Sequence, residues 1–256
     1  MLVSACLWGL REPPAEAALQ LDRLGVDGVD VEPGFILSRG RVNAAAAITV
    51  NCLAADHLMP AAGGLGNQAP EASRIAVEHI GAGIREAAEL GAEAVYVGPP
   101  AESDASLRNF EKSVVKLAGE AARAGLRFCI EHVPGSMVGS ASEAIDFSNR
   151  IGHPNVHALI DIGHCLLVGE SPAEVIRAAE HRLGYVHLDD NDGKNDQHLA
   201  LTNGLFDADD VREILTALRE SPYEGPVSIE VRNDLEDPLA AVEMTLDVLR
   251  RAEGEI

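Results

Sequence analysis

Basic residues are scarce in this chain. Lys and Arg total 20 against 41 Asp and Glu, a formal net charge of −21. Affinity for nucleic acid comes mostly from Lys and Arg neutralising phosphates, so the balance argues against a polynucleotide partner. It does not bar a small anion held by local groups. The four cysteines (Cys6, Cys52, Cys129, Cys165) are scattered and form no close pair, which leaves reduced thiols and a cytoplasmic location as the expectation. No apolar run reaches the length that spans a bilayer, so no membrane partner is expected. The opening stretch, Met1 to Trp8, carries no basic leader and reads as a first strand instead of a signal peptide. A break in composition or a linker is also missing, so residues 1–256 read as one domain.

What the chain does have is a regular alternation of strand-like and helix-like segments. Strands are expected at 2–9, 28–32, 48–55, 94–97, 127–132, 156–161, 185–189 and 227–231. Helical spacing places Ala17, Leu21 and Leu24 on one face before a stop at Gly25. It does the same for Val77, Ile80, Ile84 and Ala87 in a helix over 71–90, and for Phe110, Val114, Leu117 and Ala121 in one over 106–124. Further helices are expected at 35–47, at 142–151, after the capping signal Ser171-Pro172-Ala173-Glu174, after Phe206, and after Asp237-Pro238. The Gly-, Ala- and Pro-rich loop 56–70 is long for its position, as mobile or functional loops often are. Strands alternating with helices imply parallel pairing and right-handed crossovers. Eight such units favour an α/β class protein closed as a single (β/α)8 TIM barrel, since closure leaves no strand edges.

Four of the strands end alike: Phe128-Cys129-Ile130-Glu131-His132, Leu159-Ile160-Asp161-Ile162-Gly163-His164, Tyr185-Val186-His187-Leu188-Asp189 and Val227-Ser228-Ile229-Glu230-Val231. Strand side chains alternate between faces. One parity is apolar and suited to packing under helices. The other directs Glu131, Asp161, His187 and Glu230 into a shared interior, at the C-terminal strand ends where barrels of this kind do their chemistry. Any one of these reads equally well as a solvated group at a strand end. Four in matching phase do not, and unpaired buried charges are costly enough that the set calls for a cation.

Three carboxylates and one imidazole form a hard oxygen–nitrogen site. It suits one divalent ion, Mn²⁺, Mg²⁺ or Co²⁺ ahead of Zn²⁺. Such an ion holding a carbonyl and its neighbouring hydroxyl acidifies the carbon-bound proton between them and stabilises the enediolate left behind. Glu131 and Glu230, from different sides of the ring, can remove and return that proton. The expected activity is isomerisation or epimerisation of a small keto-sugar or polyol-derived ketone. A dehydratase (lyase) using the same chemistry is the alternative, and a barrel that binds sugar without turnover is the reading from another class. The expected partner is a small carbohydrate; a homo-oligomer is left open.

At these residues the sequence resembles the xylose isomerase-like TIM barrel family of sugar phosphate isomerases and epimerases. The likeness is strongest at Ile130-Glu131-His132, Asp161-Ile162-Gly163-His164, the run from His187 to Gly193, Asp196-Gln197-His198-Leu199 and Ile229-Glu230-Val231. It implies that Glu131, Asp161, His187 and Glu230 bind one metal, often Mn²⁺, that the two glutamates form the acid/base pair, and that His164 contacts substrate oxygens. His198 joins it as a substrate-contact candidate. Two departures stand out. Relatives usually continue Pro-(Leu/Gly)-Gly-x-Gly where this chain has Ala200-Leu201-Thr202-Asn203-Gly204, and the arginine some ketose epimerases carry after the strand-seven histidine has no clear match. The DNA-repair branch of the family, endonuclease IV, places a histidine after strand four. Here Gly98-Pro99-Pro100 stands instead, which together with the charge disfavours a nuclease.

Other candidates carry paired readings. His57, after strand three, either lines the pocket or lies on the surface. Glu32 either binds a substrate hydroxyl or pairs with a neighbouring cation. Trp8, the single tryptophan, walls the substrate or closes the barrel. Arg232 binds a phosphate or braces the metal ligands. His132, on the apolar parity, is a packing or supporting histidine.

Overall fold

The computed structural model describes residues 1–37, 48–101 and 105–255. Eight strands lie side by side in chain order: β1 (Val3–Cys6), β2 (Gly28–Val31), β3 (Thr49–Ala54), β4 (Ala94–Val97), β5 (Arg127–Glu131), β6 (Val156–Asp161), β7 (Leu183–Leu188) and β8 (Val227–Ile229). Each pairs in parallel with the next, and β8 returns to β1 through Val3–Val227 and Ala5–Ile229, so the sheet is a closed (β/α)8 barrel. Helices Pro14–Leu24, Pro70–Leu90, Leu107–Arg123, Ala141–Ile151, Pro172–Ala179, Ala208–Glu220 and Pro238–Glu255 cover the outside. Local chemistry sets their ends. Ser140, Ser171 and Asp207 each accept a backbone N–H of the first turn, and Asp207 and Asp210 form a reciprocal capping box. No described helix is long and apolar enough to cross a membrane.

The strand alternation read from sequence sorts the two cores. Phe128, Ile130, Ala158, Ile160, Val186, Leu188, Val227 and Ile229 join the main core with the helices. The opposite parity fills the barrel with a separate cluster of Cys52, Ala54, Ala94, Tyr96, Cys129, Leu159 and Tyr185, capped by Trp8. Small residues on β3 and β4 leave the volume that two buried tyrosines occupy, which matches large against small across facing strands. At Gly184 a Cβ would come within 2.6 Å of Cys129 Sγ and collide with His157, so the β5–β7 approach requires glycine there.

Several details differ from the expectations. Strand one ends at Cys6, and Trp8 sits in a 3₁₀ turn, Leu7–Gly9, which swings its indole over the barrel mouth. Strands seven and eight end before Asp189 and Glu230, so both acids stand in the turns that follow. A short helix, Ile162–Val168, starts directly off β6 where no helix was expected. Most of the helix expected at 35–47 lies outside the described residues.

Candidate metal centre

Asp161 has two jobs, one per oxygen. It ends β6 and caps the helix Ile162–Val168: its Oδ1 accepts the His164 backbone N–H at 3.0 Å. Its Oδ2 is buried without a hydrogen-bond partner. The pairing of β6 with β7 sets Asp161 beside His187, and the β7–β8 register sets His187 beside Ser228, two residues short of Glu230. One ligand atom each from Glu131, Asp161, His187 and Glu230 can be chosen so that all lie within 4.8 Å of one another.

His187 is fully buried, with Nδ1 2.7 Å from Glu230 Oε2 and 3.4 Å from Glu131 Oε1. The 2.7 Å approach lacks hydrogen-bond geometry, and His187 Nδ1 and Glu230 Oε2 are both buried without a partner. Polar atoms brought this close without hydrogen-bond geometry fit ligands directed at a common cation. Trp8 Nε1–H donates to Glu230 Oε1 at 2.8 Å, which fixes that carboxylate and leaves Oε2 turned to the cluster. Burial opposes charge on both His187 and Glu230. Their mutual attraction nonetheless moves the imidazole well above its ordinary range and the carboxylate well below it. Against the same opposition, His164 and His198 lower Asp161.

A second ring of polar groups supports the first. His132 is fully buried; its Nε2 accepts the Asp161 backbone N–H at 3.3 Å, and its carbonyl accepts His164 Nδ1–H at 2.8 Å. Burial pushes its pKa down to about 4, so it is a neutral brace for the β6 turn. Asp189 accepts the Gly163 N–H at 2.9 Å, and a Cβ on Gly163 would collide with that carboxylate. His198 Nδ1 lies 2.9 Å from Asp189 Oδ2, and Asp196 Oδ1 lies 3.1 Å from His198 Nε2 and 3.6 Å from His164 Nε2. Burial works against both cations, yet Asp161 and Asp196 push His164 up to about 10, and Asp189 with Asp196 push His198 up to about 12. Asp190 holds the loop that carries them, accepting N–H groups of Asn191, Gly204, Leu205 and Phe206.

Trp8, His57, Asp196, His198, Glu230 and Arg232 line a mouth cavity of about 340 Å³, enough for a small polyhydroxy ligand. His57 packs edge-on to Trp8 with ring centroids 4.9 Å apart. Glu32 Oε1 lies 3.2 Å from His57 Nδ1, so its nearest cationic neighbour is that histidine, and His79 Nε2–H anchors the His57 carbonyl at 2.8 Å. Arg232 stands at the rim. It forms a two-point pair with Asp234 and donates to the Asp196 carbonyl at 3.1 Å, so it braces the loop under His198 and not the four-residue cluster. Thus the first four residues converge, His198, Trp8, His57 and Arg232 line the cavity, His164 is buried edge-on to His198 at 5.8 Å, and Glu32 acts one step back.

Two acids beside the site were not singled out from sequence. Asp189 lies in a quoted motif, but its role depends on the fold bringing Gly163 and His198 to it. Asp30, in the middle of β2, is fully buried and faces His187; its signal was an acid on the inward parity of a four-residue buried strand.

The family model described as xylose isomerase-like TIM barrel matches residues 21–252. An inosose dehydratase of Lacticaseibacillus casei is 24% identical over 156 residues, 56% of this chain and 52% of that protein. The chain spans about half the length of the curated relatives it matches. Among solved structures, a 3-keto-D-glucoside 4-epimerase of E. coli is 22% identical with a TM-score of 0.81, covering 98% of this chain and 99% of that one. The IOLI protein with a zinc atom is 18% identical with a TM-score of 0.78, covering 100% of this chain and 99% of that one.

Proposed function

Because the chain belongs to the xylose isomerase-like TIM barrel family, we propose that it is a divalent-metal-dependent isomerase or epimerase of a small keto-sugar or polyol-derived ketone. The observation that carries the reading is the convergence of Glu131, Asp161, His187 and Glu230, with Asp161 Oδ2, His187 Nδ1 and Glu230 Oε2 buried without a hydrogen-bond partner. Those four residues would hold the ion. A bound divalent cation supplies Lewis acidity toward a carbonyl and its neighbouring hydroxyl; zinc in a similar structure and the hard donor set both suit it, and Mn²⁺ is our first choice.

The chain's own groups then divide the proton chemistry. Glu131 and Glu230 come from β5 and the end of β8, flanking the cluster from different sides. One carboxylate removes the carbon-bound proton to give a cis-enediolate, and the other returns a proton to the same or the neighbouring carbon. Trp8 keeps Glu230 oriented through its indole N–H. His164, tethered through Nδ1 to the His132 carbonyl, turns Nε2 toward Asp196, where it can donate to a substrate oxygen. His198 adds a second donor beside it, while Trp8 and His57 shield the cavity from water.

A second reading, dehydration, is favoured by the relatives named inosose dehydratase. It uses the same first proton removal and then expels hydroxide. Incubating the Mn²⁺-loaded protein in D₂O with inosose and a panel of ketoses, followed by NMR, separates the two. Epimerisation exchanges one carbon-bound proton without loss of water; dehydration yields an unsaturated product. Full activity in Glu230→Gln, or after exhaustive chelation, would sink both.

A further inference from the structure

Behind the four-residue cluster lies a buried acid that the chemistry above does not use. Asp30 is fully buried at the centre of β2. Its Oδ1 accepts the Tyr185 hydroxyl at 2.6 Å. Its Oδ2 faces His187 Nε2 at 3.7 Å and Cys6 Sγ at 3.9 Å. Tyr185 and His187 stand two apart on β7 and therefore share its inward face. The His187 ring thus lies between carboxylates on both edges: Glu230 and Glu131 at Nδ1, Asp30 at Nε2.

We infer that Asp30 is a positioning residue for His187: when a cation holds Nδ1, the ring closes the 3.7 Å gap and donates its Nε2–H to Asp30, which the Tyr185 hydroxyl holds in place for that task. The inference rests on the metal-site reading above. With a cation bound at Nδ1, only Nε2 can carry the proton, and the group facing it is a carboxylate that accepts and never donates. An acid outside the ligand set that receives the far N–H of a ligating histidine fixes the ring and raises its basicity. The geometry also explains why a carboxylate is buried here, where an apolar residue would pack at lower desolvation cost. Cys6, 3.6 Å from Ser228 Oγ, continues the polar layer and contributes only a weak donor.

Zn²⁺ itself is the probe. The metal-free full chain is titrated against a chromophoric chelator, in wild type, Asp30→Asn, Tyr185→Phe and Glu230→Gln. Asp30→Asn is expected to weaken Zn²⁺ binding about 10–100-fold, and Tyr185→Phe by less. The ¹H shift and exchange rate of the His187 Nε2–H in the Zn²⁺-loaded protein give a readout that a structural role would not move: a downfield, slowly exchanging proton in wild type, and one moved upfield and exchanging faster in Asp30→Asn. If wild type binds Zn²⁺ and Glu230→Gln loses it, but Asp30→Asn keeps both the affinity and the Nε2–H signal, the role of Asp30 is overturned while the metal site stands. If wild type shows no site that Glu230→Gln weakens, the metal reading itself fails. Should Asp30→Asn not fold, Tyr185→Phe decides by the same two readouts.

Discussion

Deep in the barrel Cys129, Leu159 and Tyr185 pack against one another and against Cys52 and Tyr96. Two residues further along the same three strands stand Glu131, Asp161 and His187. The strands, the parity and the register are shared; only the residue type changes from one layer to the next. In the deep layer the Tyr185 hydroxyl has its partner in Asp30, Tyr96 brings a second phenol, and the rest is apolar or thiol. In the mouth layer Asp161 Oδ2, both His187 nitrogens, Asp189 Oδ2, His198 Nδ1 and Glu230 Oε2 are buried without a hydrogen bond. Native interiors satisfy nearly all such groups, so a concentration of exceptions at one end marks groups arranged for a ligand and not for the fold. The floor carries stability; the mouth gives some of it up.

The comparison is broken most sharply by substitutions in the two layers. Glu230→Gln at the mouth is expected to lower turnover by about 10²–10⁴-fold and to cost metal-free stability in urea only modestly, because the lost attraction to His187 is partly offset by relief of repulsion from Asp161. A large loss of urea stability in that variant would mean the mouth is built like the floor. Leu159→Ala in the deep layer should do the reverse, costing about 2–5 kcal/mol in denaturant titration with no direct loss of a ligand atom. A smaller but selective effect comes from the ion. At a free Mn²⁺ or Zn²⁺ concentration of roughly 100 times its dissociation constant, wild type should gain about 2.7 kcal/mol, and Asp161→Asn should gain markedly less.

The smallest effect is in pH dependence, where the two ends have opposite signs. At the floor, burial pushes His157 down to about 4. Its contribution is complete above the ordinary histidine pKa and is lost as pH falls from about 6.5 through 4. At the mouth His164 is pushed up to about 10. Its contribution is complete below about 6.5 and is lost as pH rises through 10. His157→Gln should flatten the acid side of the metal-free stability curve, and His164→Gln the alkaline side. Finding both effects on the same limb would show that the two ends do not differ in electrostatic character.

Much of this division was legible in the sequence because strand alternation is strict. Period-two reading put Glu131, Asp161, His187 and Glu230 on one face and their apolar neighbours on the other, and the fold keeps that assignment. Capping chemistry was equally direct at Ser171 and Asp237. What escaped depended on contacts between distant segments. Asp30 is one acid in Gly28-Val29-Asp30-Val31, and nothing local says that its neighbours are Tyr185 and His187. The helix Ile162–Val168 starts without a loop, capped by a residue already assigned to metal binding, and Gly163 within it reads as a breaker until the Asp189 carboxylate beside it explains the missing side chain. Arg232 shares the inward parity, but Asp234 two residues on captures its guanidinium.

The most direct test of the central claim is a crystal structure grown with Mn²⁺ and measured for anomalous scattering. The account expects one strong peak ligated by Glu131, Asp161 Oδ2, His187 Nδ1 and Glu230. A peak seated elsewhere, for example among His164, Asp196 and His198 alone, or none among these four at saturating Mn²⁺, would contradict it.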